Sequence, residues 1–189
     1  DLQVHAALEG ETVRIRIYSR EVGSTSDWIG HCSMRACLLD TDNEAPAAQA
    51  AAVIAARCSV EVRPAQFYAN WRARGNEWGT RFQGIVELAV GAGEALARIE
   101  APAGIVGTDH IHVAHPAILD ACVQVLAAAI DDTGQGAFVG KSMGAARLHA
   151  PLGQGRLSSH AVLRGGGALN PRTASGDVCV SNDDGQVVL

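Results

Sequence analysis

Apolar and polar side chains alternate near the start of the chain. The alternation runs over residues 2–8 and 11–19, on either side of Glu9-Gly10, and it continues over 27–39. Successive side chains of a strand point to opposite faces of a sheet. The pattern therefore predicts a hairpin of half-buried strands followed by a third strand.

The pattern changes over residues 41–58, which are rich in Asp, Asn and Ala and contain too few large apolar side chains to form a core. We interpret this stretch as an Ala-rich linker with helical character in its second half. It separates the alternating strands of residues 1–40 from a second unit over 59–189.

The second unit mixes strand and helix periodicities. Pro64 starts a short helix that places three aromatic core residues at helical spacing and ends at Gly75. Strands are predicted over 82–90, 94–101, 144–150, 156–164 and 177–189. We interpret Gly134–Gly136 and Gly165–Gly167 as loop turns, because neither matches a phosphate-binding fingerprint.

The longest helical pattern begins at His115-Pro116 and extends to about residue 131. Leu119, Val123, Leu126 and Ile130 form the predicted core stripe. Asp120 and Gln124 are four residues apart, so their side chains can touch on one face. A single long helix among antiparallel strands indicates an α+β architecture in which a sheet wraps a central helix.

Composition limits the classes of function. The 189 residues are 48% hydrophobic, which is enough for a buried core, and the formal net charge is −5. Because there is no dense run of Lys or Arg, we expect neither a nucleic-acid partner nor an anionic membrane partner. The sequence has no apolar run of membrane-spanning length. It starts at Asp1 and ends in a strand pattern, so we expect a piece of a longer protein.

The cysteines are odd in number and widely spaced. There are five of them, and none forms a C-x-x-C pair, so we expect reduced thiols in a cytoplasmic protein. His110, His112 and His115 form an H-x-H-x-x-H string in which a metal site is the less favoured interpretation. No cysteine or second carboxylate completes the string, and we predict no metal and no bound cofactor.

Three segments together resemble the dehydratase domains of modular polyketide synthases. Residues 67–84 (FYANWRARGNEWGTRFQG) are similar to the family's F-Y-x-x-L-x-x-x-G-x-x-Y-G-P-x-F-Q-G. Residues 115–124 (HPAILDACVQ) are similar to its H-P-A-L-L-D-A-x-x-Q, and residues 146–150 (ARLHA) to its V-R-L-H-A. The order and the spacing of the three segments also match.

The resemblance implies a double hotdog fold, in which each hotdog is a sheet wrapped round a helix. It assigns residues 1–40 to the C-terminal strands of a first hotdog, 41–58 to the linker, and 59–189 to most of the second. The residues alone lead to the same division.

The resemblance also implies a reaction, the loss of water from a 3-hydroxyacyl chain on an acyl carrier protein to give a 2-enoyl thioester. Such an elimination needs a base for the C2 proton and an acid for the C3 hydroxyl. In the family the acid is the Asp that matches Asp120, and Gln124 would orient it. The base is a His in H-x-x-x-G-x-x-x-x-P, which this sequence lacks. We expect that His upstream of Asp1, and we expect the chain alone to be inactive.

The resemblance places the substrate against His115, Trp78, Gly79 and Phe82. This sequence reads Trp78-Gly79-Thr80 where the family has Tyr-Gly-Pro. An indole N–H donates a hydrogen bond but cannot accept one, so Trp78 either positions substrate through that donor or narrows the tunnel. The expected partners are the carrier protein with its phosphopantetheine thioester, neighbouring synthase domains and a second copy in a homodimer.

Two other functions stay open at this point. One is a non-catalytic dehydratase-like domain that holds neighbouring modules or binds the growing chain. The other keeps the Asp and His pair but shifts a double bond or closes a ring, as an isomerase or cyclase.

Overall fold

The computed structural model of the chain describes residues 1–38, 44–107, 112–130, 136, 138–152, 155–164 and 173–189. The chain divides into two compact units, Asp1–Glu44 and Ala45–Leu189. His110, residue 131, Gly134, Gln135 and the loop at Gly165–Gly167 lie outside the described residues, as do residues 41–43 of the predicted linker.

The first unit is a three-stranded antiparallel sheet in the order β1-β2-β3. Its strands are β1 (Leu2–Glu9), β2 (Thr12–Ser19) and β3 (Ile29–Ala36). Gly10 has a φ of 63° in the turn between β1 and β2, which is a conformation that glycine adopts without steric cost. The predicted hairpin and third strand are confirmed, with β3 shorter than the alternation indicated.

The second unit contains a five-stranded antiparallel sheet in the order β4-β5-β6-β7-β8. Its strands are β4 (Val60–Glu61), β5 (Ile85–Gly91), β6 (Glu94–Ile99), β7 (Leu157–Leu163) and β8 (Gly176–Ser181), and its helices are α1 (Ala51–Arg57), α2 (Pro64–Ala73) and α3 (Pro116–Ala128). The helical half of the linker and both predicted helices are present. Among the described residues, no helix has the length and apolar character needed to cross a bilayer.

Helix α3 is the centre of this unit and packs on β6, β7 and β8. The side chain of Ser159, which is fully buried on β7, donates a hydrogen bond of 2.8 Å to the carbonyl oxygen of Cys122 on α3. The buried face of the helix consists of small and branched side chains, namely Ala117, Ile118, Ala121, Cys122 and Val125, together with Gln124.

The predicted core stripe of α3 is therefore wrong by one position. Leu119, Leu126 and Ile130 are only partly buried against the core, and Val123 is half-buried. The helix is apolar on almost every side, so periodicity does not select the buried face. The sheet selects it, because small side chains such as Ala121 allow a helix to pack closely on strands.

Two predicted strands are corrected. Residues 144–150 form no strand; instead, the N–H of His149 donates to the carbonyl oxygen of Val188, and Leu152 makes an isolated bridge to Ala114. The predicted strand over 177–189 ends at Ser181. There Gly185, at a φ of 77°, lets the last residues turn back against β8.

The strand predicted over 82–90 starts later than expected, at Ile85. Residues Thr80–Phe82 form a 3-10 turn instead, closed by the N–H of Phe82 on the carbonyl oxygen of Gly79. This turn brings the Phe82 carbonyl towards α3, at the site described next.

Candidate active site

Asp120 and Gln124 lie one turn apart on α3 and are in direct contact. Nε2 of Gln124 donates a hydrogen bond of 2.6 Å to Oδ2 of Asp120. Gln124 is 4% exposed and Asp120 is half-buried. The contact predicted from the spacing of four residues is present, and it pairs an acid with a neutral donor.

The Gln124 amide is held from two further sides. Its Nε2 also donates to the backbone carbonyl oxygen of Phe82, at 2.9 Å. Its Oε1 accepts a hydrogen bond of 3.1 Å from the hydroxyl of Tyr68 on α2. Both N–H groups and the oxygen of the amide are therefore used, as a buried amide requires.

Tyr68 is the site residue that the sequence reasoning missed, since it was assigned to the aromatic core. Its hydroxyl accepts a hydrogen bond of 3.1 Å from the backbone N–H of Ile85 as well as donating to Gln124. Burial raises the pKa of Tyr68 to about 12, although the Ile85 hydrogen bond opposes this. The available signal was a phenol at a core position, because a buried tyrosine hydroxyl needs a polar partner.

His115 caps the start of α3. Its Nδ1 accepts a hydrogen bond of 3.1 Å from the backbone N–H of Ala117, which supplies a partner for a donor left free at the helix N-terminus. An accepting Nδ1 places the proton of the neutral ring on Nε2. The ring also packs against His112, with 4.8 Å between the two centroids.

The predicted substrate residues Trp78, Gly79 and Phe82 lie on the loop that leads to β5. The indole of Trp78 stacks on Phe67 at 5.9 Å between centroids and lies edge-on to Tyr68 at 6.1 Å. Gly79 is exposed, and the Phe82 side chain is 40% exposed. This loop meets the Asp120 pair through the Phe82 carbonyl, while Trp78 joins the aromatic cluster beside Tyr68.

The arrangement is chemically directional. Phe82 contributes a carbonyl, which only accepts, and the Tyr68 hydroxyl has its single proton directed at Gln124. The amide is thereby oriented with its N–H groups towards Asp120. Because Oδ2 of Asp120 accepts a hydrogen bond, the proton of the neutral acid belongs on Oδ1. The site can hold a carboxyl group in one orientation and release a proton from one oxygen.

The described residues offer one group of potential metal ligands, on the other face of the sheet from α3. Ligand atoms of Cys58, Glu94 and His160 lie within 4.8 Å of one another. The Arg57 guanidinium already makes hydrogen bonds of 2.7 and 3.0 Å to the Glu94 carboxylate, and Nε2 of His160 lies 2.9 Å from it. Burial raises the pKa of the Cys58 thiol, which disfavours the thiolate that a metal needs. We interpret this group as an ion-pair network that holds α1 to the sheet.

A cavity of about 530 Å³ lies beside this network, between residues 46–57 and strands β6 and β7. Asp120, Gln124 and Tyr68 are not among its lining residues. Most of the side chains that line it from residues 46–54 are alanines. The convergent polar groups around Asp120, and not the size of a cavity, identify the candidate active site.

Comparison with known proteins gives a consistent result. A family model described as the polyketide synthase dehydratase N-terminal domain matches residues 46–189. The phenolphthiocerol/phthiocerol polyketide synthase of Mycobacterium tuberculosis contains a polypeptide that is 30% identical over 191 residues, which cover 96% of this chain and 8% of that polypeptide. Polyketide synthase PksN of Bacillus subtilis is 39% identical over 59 residues, or 31% of this chain and 1% of that protein.

Solved structures agree on the fold. The dehydratase domain from the CurF module of curacin polyketide synthase matches 99% of this chain and 64% of its own, with a TM-score of 0.80 and 22% identity. A trans-AT polyketide synthase dehydratase domain from Brevibacillus brevis matches 99% of this chain and 65% of its own, with a TM-score of 0.81 and 20% identity. The predicted α+β hotdog fold is confirmed. The chain spans a small part of these synthases and under two thirds of the solved dehydratase domains.

Proposed function

Because the chain belongs to the polyketide synthase dehydratase family, we propose that it forms part of an enzyme that removes water from a 3-hydroxyacyl thioester. The observation that carries this proposal is the contact of 2.6 Å between Gln124 and Asp120 in a buried hydrogen-bond network. In that network Asp120 is the acid and Gln124 holds it in place.

The elimination balances with two residues. A base takes a proton from C2 of the acyl chain, the electron pair forms the C2–C3 double bond, and the C3–O bond breaks. Hydroxide is a poor leaving group at neutral pH, so Asp120 gives its proton to the departing oxygen, which leaves as water. The product is a 2-enoyl thioester, and the acid regains its proton from solvent before the next cycle.

The base in this proposal is a histidine contributed from outside these 189 residues. The sequence contains no H-x-x-x-G-x-x-x-x-P motif. We further propose that residues 1–40 belong to a first hotdog, which would supply that histidine. The apolar side chains Leu2, Val4 and Leu8 of β1 are 69%, 60% and 78% exposed, and such a face is stable when another element covers it.

The remaining parts of the proposal concern substrate and partners. His115, Trp78, Gly79 and Phe82 would line the path of the acyl chain, with Trp78 narrowing it beside Tyr68. The substrate would arrive as a phosphopantetheine thioester on an acyl carrier protein, within a homodimeric, multidomain synthase in the cytoplasm. All five cysteines are free thiols, which is consistent with a reducing compartment.

One observation favours a second candidate, a dehydratase-like domain without activity. Trp78 stands where the family has the Tyr of Tyr-Gly-Pro, and its indole packs into the aromatic cluster with Phe67 and Trp71. A tryptophan held in this way lacks the hydroxyl that the family places near the substrate oxygen. A module lacking dehydration activity would support this candidate.

The test uses a longer protein that contains this chain and the histidine motif, incubated with a 3-hydroxyacyl thioester. Asp120→Asn should lower the rate of dehydration by at least about a hundredfold, the usual minimum contribution of a positioned general acid. Asp177→Asn, which removes an exposed carboxylate paired with Arg164, is the control and should retain activity. Equal rates for wild type and Asp120→Asn would refute the assignment.

The missing base gives a second prediction. The 189-residue chain alone should bind substrate without dehydrating it, because no residue of the described site takes the C2 proton in this mechanism. The measurement is mass spectrometry of the thioester after incubation with the isolated chain. Dehydration by that chain alone would show that the base lies within it.

A further inference from the structure

Tyr68 lies between the backbone of β5 and the side chain of Gln124. The Ile85 N–H can only donate, so at 3.1 Å the Tyr68 oxygen must accept from it. The hydroxyl proton is then left for Oε1 of Gln124, also at 3.1 Å. Each of the two hydrogen bonds determines the direction of the other.

The direction of these bonds decides which end of the Gln124 amide faces Asp120. An amide turned by 180° would place its NH2 group against the Tyr68 proton and its oxygen against the Phe82 carbonyl. Both contacts would be repulsive, and both groups are shielded from water that could relieve them. The observed orientation leaves the N–H groups of Gln124 for Phe82 and for Oδ2 of Asp120.

We infer that Tyr68 is a positioning residue of the dehydration reaction, which acts through Gln124 to keep the acid proton of Asp120 on Oδ1. The inference rests on the proposed role of Asp120 as the acid. Tyr68 itself neither donates to nor accepts from the substrate. Its hydroxyl is the start of a three-residue hydrogen-bond relay that ends at the carboxyl group.

The surroundings of Tyr68 suit this role. The residue is 7% exposed, and its ring is enclosed by Phe67, at 5.2 Å between centroids and edge-on, and by Trp78 at 6.1 Å. Rings packed on two sides hold the hydroxyl in one place. The high pKa of this buried phenol keeps the donated proton in place at any physiological pH.

A double-mutant cycle tests the inference in the longer, active protein that contains this chain. Tyr68→Phe should lower kcat by about tenfold with little change in KM, because a mispositioned acid affects the proton transfer and not binding. In a Gln124→Ala background the same substitution should cost less than about twofold, since Tyr68 acts only through Gln124. An unchanged tenfold loss in that background would overturn the inference.

The chain offers a matched control in its one other tyrosine. Tyr18→Phe removes the hydroxyl of a residue on β2 and should leave kcat unchanged. The outcomes separate this inference from the proposed function. Activity in Asp120→Asn removes both, whereas additive losses for Tyr68→Phe and Gln124→Ala, with Asp120→Asn inactive, remove this inference alone.

A measurement on the unmodified chain covers the case in which Tyr68→Phe fails to fold. The side-chain amide protons of Gln124 should exchange with deuterated solvent much more slowly than those of Gln66, whose single hydrogen bond of 2.7 Å to Asn70 is exposed. Slow exchange at Gln124 supports the relay. Exchange as fast as at Gln66 would show that the amide rotates freely and would overturn the inference.

Discussion

Gly84 is the residue at which the loop before β5 approaches α3 most closely. A Cβ atom at this position would lie 2.9 Å from Cβ of Ala121 and 3.1 Å from the carbonyl oxygen of Glu100. Ala121 follows Asp120 directly, and Gly84 lies two residues after Phe82. The absence of a side chain at Gly84 thus permits the spacing at which the Phe82 carbonyl reaches Gln124.

Gly84→Ala should therefore destabilise the protein by about 1–3 kcal/mol, the usual cost of overpacking a close contact. Denaturant unfolding followed by circular dichroism measures the change. Gly79→Ala is the control on the same loop, because nothing lies within 4 Å of its added Cβ and its φ is −65°. It should change stability by less than about 0.5 kcal/mol. Equal losses for the two variants would contradict the packing argument.

At the scale of elements, α1 is joined to the sheet by charge. Arg57 in its last turn bonds the Glu94 carboxylate on β6, and His160 on β7 lies 2.9 Å from the same carboxylate. Leu96 and His160 are opposite one another in the sheet, which places this network on the face away from α3. The backbone of Gly91 touches the Arg57 carbonyl, so any side chain there would collide with it.

The Arg57 guanidinium, aided by His160, holds the pKa of Glu94 below its usual value of 4.5. A carboxylate with a lowered pKa contributes stability that is present above its unfolded pKa and is lost as pH falls through its folded pKa. Glu94→Gln should therefore be less stable than wild type at pH 7, and the difference should shrink as pH falls below 4.5. Thermal unfolding between about pH 3 and 7 measures this dependence.

The control for this prediction is Glu87→Gln. Glu87 pairs with Arg98 at 3.4 Å, but its side chain is 74% exposed, and exposed ion pairs contribute little to stability. A difference between Glu94→Gln and wild type that stays constant with pH would contradict the role of the ion pair.

At the scale of the whole molecule, the two units differ in how much they bury. All of the core cluster lies in the second unit, where Ile99, Val125, Leu152 and Val180 are fully buried. In the first unit, none of residues 1–38 is buried. A sheet whose apolar side chains remain in water gains little free energy to offset the entropy of ordering its chain.

We expect residues 45–189 to fold alone and residues 1–44 alone to remain unfolded. The measurement is circular dichroism with thermal unfolding of each piece. Residues 45–189 should show helix and a cooperative transition, and residues 1–44 should show neither. A cooperative transition in the shorter piece would mean that its sheet finds enough buried surface in isolation.

Much of the fold was predictable because it depends on local order. Helix α3 begins where Pro116 requires, and β1 and β2 follow the alternation of their side chains. The strand predicted over 144–150 failed because its residues lack a neighbouring strand to pair with over their length, which only the tertiary arrangement decides. The same holds for the buried face of α3, where Ala121 and Cys122 replaced Leu119 and Val123.

The candidate site divides in the same way. The sequence by itself determined that Asp120 and Gln124 touch, because residues four apart on a helix are neighbours in any tertiary structure. Only the tertiary structure decided what holds Gln124, since Phe82 lies 42 residues away in sequence and Tyr68 lies 56 away. No local pattern encodes such contacts. They exist because α2 and the loop before β5 pack against α3 and bring a hydroxyl and a carbonyl to the two ends of one amide.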